Sequence, residues 1–426
     1  MVLVLFITFF AFMLIGMPIS FAICLSSVVT ILTNLPKVDL TLVVQRIFAG
    51  MDSFPLMCIP FFVLAGELMA KGNISDRLIR LANIFVGRIR GGLAHVNILA
   101  SMFFGGVSGS SSADVSSIGT ILIPTMSRAG YSMPFSVAVT ASSATLGIII
   151  PPSNSMIIYA MVAGTVSISQ LFLAGILPGI LIGVSFMVVS YIIAIKRNYR
   201  SEATATLKEN LIAFGQGIVP MFTFVIIIGG ILGGIFTPTE SSVVAALYAL
   251  ILSTIVYRTV RFSELPAILL KSALTTATVL FLIGVSNIFG WILAYGHVPQ
   301  AITDIMYSIT TNRYLLLIMI FMVLLIVGTF MDLAAALIIF VPIFLPVVQG
   351  FGMDPVHFGL FMITALAIGG YTPPVGVTLF LSCNIGKISL EEGTIAALPF
   401  IGAAIVVEFL IIFIPDITML IPRLLT

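Results

Sequence analysis

The sequence predicts an all-α polytopic membrane protein arranged as an inverted repeat, with two re-entrant helical hairpins and two discontinuous helices. Three observations predict it. Of the 426 residues, 60% are hydrophobic and 8% are charged, against about 25% charged in a soluble domain. Apolar runs long enough to cross a bilayer follow one another along the chain. The glycines and prolines of the first half recur in the second at a near-constant spacing. This composition excludes a water-soluble enzyme, a disordered chain and a nucleic-acid binder, whose basic face would need more than the 18 Lys and Arg present. No HExxH, GxSxG or phosphate-loop pattern occurs, so catalysis and ATP hydrolysis have no residues to perform them, and no cofactor is expected. Cys24, Cys58 and Cys383 stand singly in apolar stretches, as core thiols do.

Continuous apolar runs lie near 2 to 31, 48 to 70, 171 to 195, 214 to 236, 272 to 294 and 395 to 420, with a shorter one at 241 to 257. The first is too long for a signal-peptide core and lacks a basic start, so it is read as a retained crossing. Two stretches, 135 to 163 and 358 to 386, are interrupted by Pro151-Pro152 and Pro373-Pro374. Proline removes a backbone donor and clashes with the preceding turn, so both read as discontinuous helices. The stretches 97 to 128 and 314 to 349 each hold two short helices around a Gly-rich or polar middle and read as re-entrant hairpins. Before the first hairpin, residues 75 to 92 put Leu78, Leu81, Ala82, Phe85 and Ile89 on one helical face, which suits an arm lying in the membrane interface. The counterpart near 299 to 313 is less amphipathic.

Sidedness follows from the excess of Lys and Arg on the cytoplasmic side. With the N-terminus inside, Lys37, Arg46, Arg313 and Arg423 fall outside, and the other 14 of 18 basic residues fall inside. That split requires both hairpins to return to the side they entered from. The expected topology is nine crossings, one hairpin from each side, and the C-terminus outside.

A shift of 222 pairs Gly106 with Gly328, Pro124 with Pro346, Gly147 with Gly369, and Pro151-Pro152 with Pro373-Pro374. A shift of 224 pairs Gly66 with Gly290 and Gly72 with Gly296. Five crossings between the hairpins make the copies inverted. The run at 214 to 236 is read as an extra helix, without a counterpart, that flips the second copy. Inverted repeats with matching broken helices are the pattern of secondary transporters, whose sites lie near the midplane at the breaks. Non-helical backbone survives at that depth only where protein or a wet cavity satisfies it.

The first hairpin tip reads GGVSGSSSAD and the break that should face it reads PPSNS. Ser108, Ser110, Ser111, Ser112, Ser153 and Asn154, with the backbone at Pro151, offer neutral oxygens, which suit a hard cation such as sodium. In the second copy VGTFMD should face YTPPVGVT, giving Gly328, Thr329, Asp332, Gly370, Thr372 and Pro374 for a second ion. A carboxylate substrate is expected between them, near Ser111, Asn154, Ser155 and Thr378. Close helix packing alone would also favour small hydroxyl residues, but it does not call for a tip and a break in each copy. Asp332 is the acidic candidate, since a carboxylate at that depth costs about 2.5 to 3.5 kcal/mol unless paired or hydrated. Asp114 is read as a cap for its returning half-helix, with direct contact to ion or substrate as the alternative. Asp52, Glu67 and Glu240, near span ends, suit contacts with neighbouring helices, while Glu408 has no partner that the sequence names. His95, His297 and His357 are isolated, so no metal other than sodium is expected.

With these segments in place, the chain resembles the large membrane subunit of tripartite ATP-independent periplasmic (TRAP) transporters. The matching stretches are GMDSFPLMCIPFFVLAGELM, GRIRGGLAHVNILASMFFGGVSGSSSADVSSIG, LGIIIPPSNSMIIYA and GGYTPPVGVTLF, which fall in both halves. The resemblance implies a sodium-driven elevator in the inner membrane of a bacterium or archaeon. Such a protein takes an organic acid, for example sialic acid, another sugar acid or a C4-dicarboxylate, from a periplasmic binding protein. A small four-helix membrane subunit is its other partner, expected here as a separate polypeptide because the chain starts at the large subunit's first helix. The implied division puts first-repeat scaffold helices at 1–74, arms at 75–95 and 299–313, and the moving domain at 96–165 and 314–388. Helix pairs and scaffold occupy 166–298, and a C-terminal helix 389–426. A stand-alone ion-coupled carboxylate carrier is the alternative reading, and a channel a more distant one.

Overall fold

The computed structural model describes residues 1–199 and 207–425, and among them every regular element is helical. Arg200, one of the basic residues placed inside by charge, lies outside the described residues. Among those described, eight helices are long and apolar enough to cross a bilayer, or nine if a bent pair is one crossing.

The first copy opens with α1 (Val2–Leu14) and α2 (Ile19–Asn34), packed on each other. They replace the single crossing expected over 2 to 31. Gly16, at φ +85°, ends one helix and Pro18 precedes the next. A Gly-Met-Pro turn is itself apolar, so it leaves no dip in hydropathy. Next, α3 (Thr41–Met51), a tight turn at Phe54–Met57 and α4 (Cys58–Lys71) make a kinked crossing with Pro55 at the kink. The arm is α5 (Ile74–Val86), which buries Leu78, Leu81 and Ala82 and turns Arg80 and Phe85 outward. The first hairpin consists of α6 (Gly92–Ser108), α7 (Ser111–Asp114) and α8 (Thr120–Arg128). After it come α9 (Met133–Ala144), α10 (Leu146–Ile149) and α11 (Asn154–Ala163), interrupted at Pro151-Pro152, then the long α12 (Ile168–Lys196). Gly91, before α6, lies against Ala194, and the ring of Tyr131, after α8, is 4.3 Å from that of Tyr199, tilted by 33°. The hairpin therefore begins and ends at the same end of α12.

The second copy runs through α13 (Leu207–Leu232), α14 (Pro238–Ile251), α15 (Leu265–Tyr295) and the arm α16 (Val298–Ile309). Its hairpin is α17 (Arg313–Phe330) and α18 (Leu333–Gly350), two legs of 18 residues, longer than expected. The broken helix α19 (Pro355–Gly369) and α20 (Val377–Gly386) follows, then α21 (Leu390–Phe413) and α22 (Asp416–Leu425).

A shift of 224 carries Thr41 to Leu265 and Lys71 to Tyr295, so α15 is the unbroken counterpart of α3 plus α4. Before each arm a residue in the left-handed region turns the chain, Asn73 at φ 52° and His297 at φ 54°. Helix α14 packs on α4 as α2 packs on α15. The pair α13–α14 thus matches the shorter pair α1–α2, and the helix expected at 214 to 236 is not an unpaired addition.

A second expectation changes as well. Phe6 and Phe9 pack 6.1 and 6.0 Å from Phe289, Phe21 sits 5.4 Å from Phe281, and Met1 and Val2 lie at Gly296. Helix α1 therefore descends one half of α15 and α2 climbs back. The N-terminus shares a side with the 299 to 313 arm instead of opposing it. The charge split is untouched, because no basic residue precedes Lys37.

The broken helices of both copies share one core. Phe186 of α12 lies edge-on to Tyr371 at 6.2 Å and to Phe400 of α21 at 5.8 Å, and Phe135 of α9 is 6.2 Å from Phe400. Every residue of α19 from Val356 to Gly369 is buried, as a helix apolar on all sides must be.

Candidate functional site

Each hairpin tip seats on the break of its own copy. In the first, α6 ends at Gly109, at φ +60°, whose Cα is so close to the break that a Cβ there would stand 3.0 Å from the Pro152 carbonyl oxygen. One turn earlier, a Cβ on Gly105 would meet Gly147 Cα at 2.5 Å. In the second, Gly376 N–H donates to the Thr329 carbonyl at 3.2 Å, and a Cβ on Gly369 would lie 2.6 Å from the Gly328 backbone. Both junctions depend on paired glycines because two backbones touch there. Gly369→Ala is expected to cost about 1 to 3 kcal/mol through overpacking, seen as a fall in melting temperature. Gly402→Ala, inside α21 and with nothing within 4 Å of the new carbon, should not lower it.

The hydroxyls at the breaks are oriented by backbone carbonyls. Ser153 Oγ donates to Ile148 O at 2.6 Å, Thr372 Oγ1 to Ile368 O at 2.6 Å, Thr378 Oγ1 to Gly370 O at 2.8 Å and Thr329 Oγ1 to Ile326 O at 2.7 Å. With its proton committed, each oxygen keeps lone pairs that can serve a cation. Ser108 Oγ and Asn154 Oδ1 are buried without a hydrogen-bond partner.

The two acidic residues of the tips stand in different surroundings. Asp332 is exposed and its Oδ1 accepts the Ala334 N–H at 3.0 Å, capping α18. Ser110, its counterpart at a shift of 222, caps α7 by accepting the Ala113 N–H at 3.4 Å. Asp114 therefore has no capping task. It is buried. Ser101 of α6 faces it, at the edge of a buried polar chain in which Ser101 donates to Ser143 at 3.2 Å and Asn97 donates to Thr140 at 2.7 Å. Glu408 is likewise buried with both oxygens unpartnered. Sequence reasoning undervalued Asp114. The available signal was that its repeat position holds Ala336, so symmetry gives it no structural duty.

Two cavities divide the candidate residues. One of about 70 Å³ lies between the copies, lined by Ser111, Ser112 and Thr145 from the first and by Asp332, Gly370 and Thr378 from the second. The other, about 320 Å³, lies between the first tip and the helices α4 and α15, where Ser108, Ser110 and Asn154 face Glu67 and Lys271. Ser111 and Thr378 thus share the small cavity, Asn154 lines the large one, and Ser155 lines neither. The small volume suits ions or a few waters, since a water occupies about 30 Å³. Only the larger falls within the roughly 300 to 1,000 Å³ of small-molecule sites.

The family described as "Tripartite ATP-independent periplasmic transporter, DctM component" matches residues 6–417. The sialic acid TRAP transporter large permease protein SiaM of Vibrio cholerae is 39% identical over 410 residues, covering 96% of this chain and 95% of that protein. The C4-dicarboxylate TRAP transporter large permease protein DctM of Pseudomonas aeruginosa is 38% identical, over 94% and 93% of the two chains. Among solved structures, the Alcanivorax borkumensis YdaH transporter superposes with a TM-score of 0.63 at 12% identity, covering 87% of this chain and 86% of that one. That likeness is one of fold.

Proposed function

Because this chain belongs to the DctM family of large permease proteins of tripartite ATP-independent periplasmic transporters, we propose that it carries an organic acid with sodium by an elevator movement. It is a transporter permease and not an enzyme. The substrate class is a sugar acid such as sialic acid, or a C4-dicarboxylate, as the names of the relatives suggest. The membrane is the cytoplasmic one, and both hairpins are re-entrant within it. The partners are the small membrane subunit and a periplasmic binding protein. Liposomes containing all three components should accumulate sialic acid or succinate, and liposomes with this chain alone should not. Accumulation by the lone chain at the rate of the full system would overturn the three-part reading.

The observation that carries the elevator reading is a difference in register between the copies. Gly66 of α4 touches the tip residue Ser108, while its counterpart Gly290 of α15 faces Pro342, ten residues beyond Asp332. At 1.5 Å per residue the second tip lies about 15 Å past Gly290 toward the middle. The hairpin domain is thus displaced toward one end of the scaffold, the end holding Lys71, Lys271 and most of the basic residues. With that end inside, this is an inward-facing state. Exchanging the registers of the two copies gives the outward state, with Phe330 raised to Gly290. Cysteines at Gly66 and Ser108 should cross-link and block uptake until reduced. Cysteines at Gly290 and Phe330 should cross-link only in a separate, outward population. If the second pair never forms in a transporting sample, the elevator reading is wrong.

Sodium belongs at the two tip-and-break junctions and at the small cavity joining them. The acid belongs in the larger cavity, against Ser108, Ser110 and Asn154.

A further inference from the structure

The larger cavity has two unlike walls. The hairpin wall offers hydroxyls and the Asn154 amide, all neutral. The opposite wall holds one ion pair, Lys271 Nζ to Glu67 Oε2 at 2.8 Å. Among the described residues, Lys271 is the only cation lining this cavity and Glu67 the only anion. The repeat does not call for the pair: at a shift of 224, Glu67 corresponds to Trp291 and Lys271 to Ile47. It stands at one end of the scaffold and has no twin at the other.

We propose that Lys271 receives the carboxylate of the substrate on the inner side, and that Glu67 competes for the same ammonium and so drives release. The inference rests on the reading of this chain as an organic-acid carrier. Hydroxyls and an amide can bind the neutral part of such a molecule but supply no counter-charge for its carboxylate. A lysine ammonium on its flexible stem is a movable point charge suited to this task. The Lys271 side chain is 68% exposed and that of Glu67 21%, and pairs this open to solvent exchange partners at little cost. Position fixes the timing. Glu67 is the next residue after Gly66, which touches Ser108. When the hairpin domain moves about 15 Å outward, the bound acid leaves the reach of Lys271. The residue therefore acts on the inner face only.

The test uses the three-part complex in liposomes with whichever of sialic acid and succinate the wild type transports. Half-saturation is measured separately for uptake from outside and for efflux of preloaded acid. Lys271→Gln should raise the inner half-saturation at least ten-fold while the outer one stays within two-fold. Glu67→Gln should lower the inner half-saturation and slow net uptake. Equal shifts on both faces, or none with Glu67→Gln, would overturn the proposal. So would full wild-type behaviour of the charge-swapped Glu67→Lys/Lys271→Glu, since that would make the pair a structural tie. A wild type that transports neither acid defeats the carrier reading itself, an outcome distinct from a failed Lys271 effect in an active complex.

Discussion

Replacing sodium by choline or potassium is expected to abolish uptake by the reconstituted complex, and Asp332→Asn to reproduce most of that loss at ordinary sodium concentrations. Asparagine caps a helix about as well as aspartate, so the variant keeps the bond to Ala334 N–H and removes only the charge. With the carboxylate lining the cavity between the tips, the sodium concentration for half-maximal uptake should rise at least ten-fold, equivalent to about 1.4 kcal/mol. Asp332→Ala also loses the cap and should melt lower by an amount corresponding to roughly 0.5 to 2 kcal/mol. Two sodium ions carried with a monovalent acid move one net positive charge inward, which gains about 2.3 kcal/mol per 100 mV of inside-negative potential. Uptake should therefore rise with that potential. Sodium-independent uptake driven by a proton gradient would refute the coupling, and an unchanged sodium response in Asp332→Asn would remove that residue from it.

Asp114→Asn is expected to reduce uptake more than ten-fold without lowering the melting temperature. A buried carboxylate whose near polar neighbour is the Ser101 hydroxyl can be replaced by an amide of the same shape, which still accepts from that hydroxyl. Ionisable groups at such depth are retained for ion or proton pathways. Asp114 sits four residues beyond Ser110 on the returning leg, where it can follow the state of the first tip. Wild-type uptake by the stable variant would reduce Asp114 to a passive buried acid, and a large drop in melting temperature would make it a packing element instead.

The comparison of Asp114 with Asp332 marks how far the sequence reaches. Both lie where a Gly-rich or polar stretch interrupts the helices. Which of them caps and which is buried depends on the turn of helix between Ser110 and Asp114 and on how α6 and α9 close over it. The run from 2 to 31 failed for a different reason. Hydropathy averages over side chains, and Gly16, Met17 and Pro18 are apolar enough to hide a turn that the backbone makes at φ +85°. The salt bridge from Glu67 to Lys271 joins residues about 200 positions apart, and no local pattern announces it.

By itself the sequence determined that this is a helical membrane chain in two related halves, and where its helices break. These are local properties: apolar length sets a crossing, and a proline pair stops a helix wherever it falls. Only the tertiary structure decided that α1 and α2 are a pair matching α13 and α14, that the N-terminus lies beside Gly296, and that the first tip stands at Gly66 while the second lies well past Gly290. Those facts are relative heights and facings of separate helices. They follow from which side chains interlock across the chain, and two copies with nearly the same pattern can dock at different registers on one scaffold.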